Sequence, residues 1–376
     1  MEQTLKFTKK DTLAVKGVAI SFLLAYHLFS RTSRMRGYDV SFWPLPQNVA
    51  MGISLCMVHC VGMFAFLSVY GLTRSMKREY AGLDFNGHEA TVFVLKRYVK
   101  LVLMFVVPFL FCTGVTFLTD SSHYSGTKWQ NLISLGMDFL GVGHLFDTEM
   151  LVSTWWFLSL EVLLIIFLPF AVCMYRKYSW LSVIMVIVPG IMISNGRLHL
   201  IKYLLVVPLA VCFADQDVLE RLKQYKIVKN PVLNKILKFV ISTVVLLGLV
   251  LLWYQAWGRE HFEFVLNGLI PMTVIYWLYE FVLDIPGIRQ ILEFMGTHSA
   301  NVFYVHSFLR TIWIKKVVYS FGNAALIWLF LMGISVLISL LLELVKKIIR
   351  YGKISAWITD GIVGWADRTL RFSRPE

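Results

Sequence analysis

Lys16 and His27 stand eleven positions apart in AVKGVAISFLLAYHLFSR, residues 14–31, a stretch that is otherwise almost entirely apolar. Eleven residues are close to three helical turns, so on one helix both side chains point to nearly the same side, roughly 16 Å apart along the axis. An ionisable group inside a membrane span faces a bundle interior or a wet cavity, because hydrocarbon penalises it. A cation at one membrane face can hold an anion. An imidazole deeper on the same stripe can move a proton or carry a transferred group. Glu161, in STWWFLSLEVLLIIFLPF (153–170), is expected at a depth comparable to that of His27. Paired with His27 it would orient the imidazole as a general base, or it would simply join two helices by a hydrogen bond. His306, in MGTHSANVFYVHSFLR (295–310), has the same two readings: a second polar group in a cavity, or an interhelix bond. Ser68 lies in FAFLSVYGLTRSMKR (64–78), where Ser68 and Gly71 suggest a close backbone approach. Arg74, Lys77 and Arg78 follow, and then Lys96, Arg97 and Lys100. Such a cluster is either ordinary cytoplasmic charge or a phosphate site, since Arg forks and Lys point charges both suit phosphate oxygens.

The elements that must position these groups are membrane helices. The chain has 376 residues, 57% of them hydrophobic and only 16% charged, against about 25% charged in soluble domains. Its mean hydropathy is +0.67. The apolar residues come in long blocks, so the expected fold is all-α: a polytopic transmembrane helical bundle. About ten spans fit, near 12–30, 49–73, 98–118, 151–174, 180–195, 199–214, 236–257, 263–283, 300–319 and 324–345. The run 131–145 is short and Gly-rich, and reads as a re-entrant or interfacial piece. The basic N-terminus followed by an apolar run resembles a signal peptide, but it has no small-residue cleavage site and reads as a retained span.

Lys and Arg fall mainly in the N-terminal tail, around 74–100, at 176–177, at 221–235, at Arg289 and in the C-terminal tail. The segments on the other side hold fewer: Arg31, Arg34, Arg36, Lys128, Arg197, Arg259, Lys315 and Lys316. This bias places both termini in the cytoplasm of a cell-membrane protein. It also accounts for the net charge of +13 without nucleic acid, for which no basic aromatic module is visible. The expected organisation is a transmembrane domain over 1–345 and a basic amphipathic cytoplasmic tail over 346–376, with helical spacing of Ile, Trp and Leu suited to the membrane interface. Cys56, His59 and Cys60 share a helix face but lack a fourth ligand at useful spacing, so no metal is expected and the cysteines read as buried thiols. No internal repeat of the transporter type stands out.

Five short motifs together carry a resemblance. Lys16-Gly17-x-Ala19-Ile20 followed by His27-Leu28-Phe29 resembles the first span of the acyltransferase-3 family of integral membrane proteins, where a basic residue precedes a histidine by ten intervening positions. FAFLSVYGL is similar to that family's Phe-rich Ser-Gly-Tyr-Gly-Leu pattern. Lys96-Arg97 resembles its next basic helix start. TWWFLSLE with Pro169 resembles its Trp-Phe-Leu-Ser-x-Glu stretch, and GTHSANVFYVH its late Gly-x-x-Ser…Tyr-Leu-x-His signature. The pieces occur in family order over nearly the whole chain. Lys16 stands where many members have Arg, and Val69 where the pattern favours Gly. The resemblance implies a stand-alone transmembrane O-acyltransferase that moves acetyl from acetyl-CoA to a hydroxyl of an extracytoplasmic or lipid-linked polysaccharide. It implies His27 and Glu161 as the catalytic pair, and Lys16, Ser68, Arg97 and Lys100 along the donor. Trp156, Ser159 and His306 would line the substrate cavity. Implied partners are the bilayer, the glycan acceptor and polysaccharide-assembly proteins. The runner-up from the residues alone is a transporter or flippase of lipid-linked sugars.

Overall fold

The computed structural model describes residues 6–119, 124–194 and 200–371. Arg197, counted above among the outer basic residues, lies outside them. Among the described residues there is no β-strand, only one isolated bridge between Ser41 and Asn323. The first half of the chain forms helices α1 (Lys9–Phe29), α2 (Gln47–Cys56), α3 (Cys60–Glu79), α4 (Gly87–Thr119), α5 (Lys128–Phe139), α6 (Trp156–Tyr178) and α7 (Leu181–Ser194). The second half forms α8 (Val206–Asp215), α9 (Val218–Gln224), α10 (Pro231–Tyr254), α11 (Ala256–Phe281), α12 (Ile288–Phe308), α13 (Lys315–Tyr319), α14 (Ala324–Ile348) and α15 (Tyr351–Arg371).

Seven of these segments are long and apolar enough to cross a membrane: α1, α2 with α3, α4, α6 with the turn before it, α10, α11 and α14. The chain is therefore a multi-pass helical membrane protein. Three other expected spans take different forms. The 180–195 run is the 14-residue α7. The 199–214 run divides between a short 3₁₀ turn and the ten-residue α8. The 300–319 run is the polar-flecked end of α12, a π-turn over Leu309–Trp313 and the short α13. Residues 131–145 form α5 and a 3₁₀ turn, with α5 opened by a Thr127–Gln130 capping box that satisfies two otherwise unpaired backbone donors.

Local sequence explains the helix starts. Asn230 accepts from the backbone of Val232 and Leu233, with Pro231 opening α10. Asn323 does the same for Ala325 and Leu326 at the start of α14. These caps stop orphan N–H groups from being left unbonded. Only 11% of the most apolar stretch of α10 is buried. Val244, Leu247 and Leu251 stand more than half exposed along it, as a lipid-facing helix requires.

The chain divides into two compact units. The first comprises residues 1–26, 51–83 and 170–299, the second residues 27–50, 84–169 and 300–376. In the first unit α3 packs on α8, and α10 packs on α11. A core around Trp253, Leu266 and Ile270 joins the latter pair. His59 lies edge-on to Trp253 at 4.7 Å between ring centroids, so it is an aromatic packing partner there. Gly62 of α3 sits tight against Pro271 and Asn267 of α11, whereas nothing lies within 4 Å of a Cβ built on Gly71. The close approach suggested at Gly71 is thus made at Gly62, nine residues earlier and on the opposite side of the helix.

A buried ion pair ties α10 to α11. The Lys238 ammonium donates to Glu280 at 3.1 Å and to the carbonyls of Leu222 and Lys223 at 2.9 Å each. Both side chains are under 10% exposed. Removing one partner leaves the other charge buried and unpaired, which costs about 3–5 kcal/mol. Lys238→Met is expected to lower thermal stability in detergent by that amount. The double variant Lys238→Met/Glu280→Met is expected to recover most of it.

In the second unit α15 packs along α4 and returns to α14. Arg350, at φ 51°, turns the chain between α14 and α15. The Tyr351 hydroxyl donates to the Leu103 carbonyl at 2.6 Å, and His88 pairs with Asp367 at 2.7 Å. The expected amphipathic tail is therefore a helix docked along its length, with Trp357 and Trp365 pointing outward.

Candidate functional site

α1 runs unbroken from Lys9 to Phe29, so Lys16 and His27 share one continuous helix. Lys16 and Ser68 belong to the first unit. Both are half-buried, Ser68 on α3. His27, Glu161, Trp156, Ser159, Arg97, Lys100 and His306 all belong to the second.

Within the second unit His27 meets His306, with ring centroids 5.2 Å apart. His306 is fully buried. Its Nδ1 lies 2.8 Å from the Phe303 carbonyl and 3.2 Å from that of Val302, and its Nε2 lies 3.0 Å from the Ser307 hydroxyl. Carbonyl oxygens only accept, so Nδ1 carries the proton and Nε2 accepts from Ser307. Both nitrogens of His306 are thereby occupied within its own helix. His27 is the less buried member of the pair by surface area. Arg34 and Arg310 lie within electrostatic reach of both rings.

α12 changes character directly after His306. The π-turn over Leu309–Trp313 widens the helix by one residue per turn. Such turns recur at functional sites because they re-aim side chains that a regular helix would stack. Here the turn presents Arg310.

An aromatic wall backs the histidines. Trp155, 2% exposed, donates its indole N–H to the Tyr304 carbonyl at 3.3 Å. Its ring stands edge-on to Phe105 at 4.8 Å and 5.3 Å from Phe308. Trp155, rather than its neighbour Trp156, therefore holds α6 against the end of α12. Trp156 is half-buried, 6.3 Å from the His144 ring. Ser159 is buried and donates to the Gly141 carbonyl at 3.0 Å, which ties α6 to the turn after α5. Asp138 secures the same region, accepting from Tyr124 at 2.9 Å and from the Leu151 backbone at 2.6 Å. Glu161 follows Ser159 on α6, half-buried, with its carboxylate in electrostatic reach of the Tyr304 phenol.

The basic start of α4 splits in two. Arg97 lays its guanidinium over the Phe93 ring at 4.7 Å, a cation–π contact. Lys100 is exposed and lines a groove of about 600 Å³ with Lys346, Lys347, Tyr351 and Thr359. Lys346 pairs with Glu343 at 2.8 Å. The Lys346-Lys347 pair was visible in sequence only as part of a basic tail. Its place beside Lys100 depends on how α14 and α15 return to α4. The place of Arg34 and Arg310 near the histidine pair is hidden for the same kind of reason, because no local pattern links them to His27.

These features describe a multi-pass helical membrane protein with a close histidine pair in its second unit. No protein-family model, curated protein or solved structure matches the chain.

Proposed function

We propose that this protein is a membrane O-acyltransferase that moves an acetyl group from acetyl-CoA to a hydroxyl of an extracytoplasmic or lipid-linked polysaccharide, acting in the cell membrane. The observation that carries the reading is the half-buried His27 set against the internally satisfied His306. It is a partly buried imidazole in a membrane helix with a fixed neighbour, the setting in which a general base is held. His27 takes the proton of the acceptor hydroxyl. The hydroxyl oxygen then bonds to the acetyl carbonyl carbon, the carbon–sulfur bond breaks, and the proton ends on the departing thiolate. Glu161 is the positioning residue for His27 in this reading. Within the second unit Arg97 is assigned to the donor, while Trp156, Ser159 and His306 belong to the acceptor cavity and its wall.

The donor's phosphates need cations on the cytoplasmic side. Lys100 and Lys347 supply cations to one groove of fitting size, where Lys346 is paired with Glu343 and Asp360 is the other carboxylate. Lys100→Glu and Lys347→Glu are each expected to weaken acetyl-CoA binding to the purified protein about tenfold, equivalent to about 1.4 kcal/mol, with a steeper loss at raised salt. Unchanged affinity in both variants would move the phosphates away from this groove. Absence of acetyl-CoA binding in the unsubstituted protein would count against the acyltransferase reading itself.

A further inference from the structure

The end of the second unit that carries the histidines is strongly basic. Residues 30–47 and 309–323 contain Arg31, Arg34, Arg36, Arg310, Lys315 and Lys316, against Asp39 as their one acidic residue. The charge bias along the sequence would place these segments on the outer side, where Lys and Arg are usually depleted, so their charge asks for a ligand.

The two segments form a single built surface. The Ser41 backbone donates to the Gly322 carbonyl at 2.7 Å, and Ala324 donates back to Ser41 at 2.9 Å. Tyr38 stacks on Tyr319 at 5.1 Å, and the Tyr319 hydroxyl donates to the Leu28 carbonyl at 3.2 Å, one residue from His27. A groove of about 430 Å³ opens in the first segment, lined by Thr32, Ser33, Arg36, Tyr38 and Gln47, with Asp39 as its one carboxylate. That volume falls in the roughly 300–1,000 Å³ range of small-ligand sites. Hydroxyls, an amide, a guanidinium and an aromatic face are the groups that hold a sugar bearing an anion. Arg34 and Arg310 continue the positive charge from this cap to the histidine pair. The Arg310 Nε is buried and donates no hydrogen bond, while the side chain is held by Tyr319.

Resting on the acyl-transfer reading above, we propose that this cap is the acceptor-docking surface and that it selects glycans carrying negative charge, whether a sugar carboxylate or a phosphate. Guanidinium forks match both oxyanions by two parallel hydrogen bonds, which neutral sugars cannot offer. Arg36 grips the anion in the groove, and Arg34 and Arg310, nearer the histidines, draw it toward His27, so the hydroxyl beside the anion is the one presented for acylation.

The test uses the full chain in lipid nanodiscs. Three probes are titrated at low and raised salt: a tetragalacturonate, the neutral maltotetraose, and a polyprenyl monophosphate. The tetragalacturonate is expected to bind at least tenfold more tightly than maltotetraose, with the gap narrowing as salt rises. Arg34→Gln/Arg36→Gln is expected to abolish the gap, and Arg36→Glu alone to reverse it, at an unchanged melting temperature. Preference for polyprenyl phosphate with none for the uronate would overturn the glycan assignment and give the anion to a lipid carrier. Equal binding of charged and neutral probes, or a gap that survives both variants, would overturn the proposal. Acetyl-CoA consumption is followed in the same preparation. Consumption without anion preference refutes the cap alone, whereas anion preference without consumption refutes the acyl-transfer reading and leaves the cap standing.

Discussion

His27→Ala is expected to lower acyl transfer by about two to four orders of magnitude, the usual contribution of a positioned general base, while acetyl-CoA affinity and melting temperature stay near those of the unsubstituted protein. The expectation follows from the asymmetry of the histidine pair. His306 spends both ring nitrogens on its own helix, at Phe303, Val302 and Ser307, and is fully buried. His27 sits half-buried beside it. The two variants therefore separate. His27→Ala removes chemistry and little packing. His306→Ala removes a buried ring and leaves the Ser307 hydroxyl facing a void, so it should cost stability as well as rate. Parallel measurement of turnover, donor binding and melting temperature reads the difference. Transfer at an undiminished rate in His27→Ala would take this residue out of the chemistry.

Gly296→Ala is expected to destabilise the protein by about 3 kcal/mol, the upper end of ordinary overpacking. A Cβ at Gly296 would collide with the Leu13 carbonyl oxygen, and one at Gly17 with that of Leu292. Both clashes are with backbone, so no side-chain rotation relieves them. In the first unit α1 and α12 thus meet along a glycine seam, the device by which membrane helices approach closely. The seam fixes the rotation of α1 and hence the side on which Lys16 stands. Gly71→Ala is the matched control. Its Cβ would meet nothing within 4 Å, so it should be neutral or stabilise by about 0.5–1 kcal/mol through helix propensity. Unfolding midpoints in detergent decide both. A Gly296→Ala protein as stable as the unsubstituted one would show that α1 and α12 do not meet in this way.

These contacts show what was legible in the sequence and what was not. The helical, multi-pass nature followed from hydropathy alone, because lipid demands helices whose polar backbone is bonded internally. The stripe from Lys16 to His27 was legible too, since α1 is one unbroken helix and spacing along a helix is fixed. Gly17 and Gly296 were both inside recognised motifs, yet their reason, the close seam, appears only when Leu13 and Leu292 are placed opposite them. The pairing of His27 with His306 joins positions far apart in sequence. Spans that are apolar on every face carry no periodic signal to say which neighbour they take. The π-turn at Leu309–Trp313 has no composition signature, and it is what presents Arg310. Likewise the Lys346-Lys347 pair reads as a tail until α15 folds back along α4.

The most direct test of the account is consumption of radiolabelled acetyl-CoA by the purified protein in nanodiscs, with an acidic oligosaccharide supplied as acceptor. Release of free CoA thiol, together with label on the oligosaccharide as an alkali-labile ester and the loss of both in His27→Ala, is the result the account predicts. Intact thioester together with protein-dependent movement of a lipid-linked sugar across the bilayer would contradict it and make the chain a transporter.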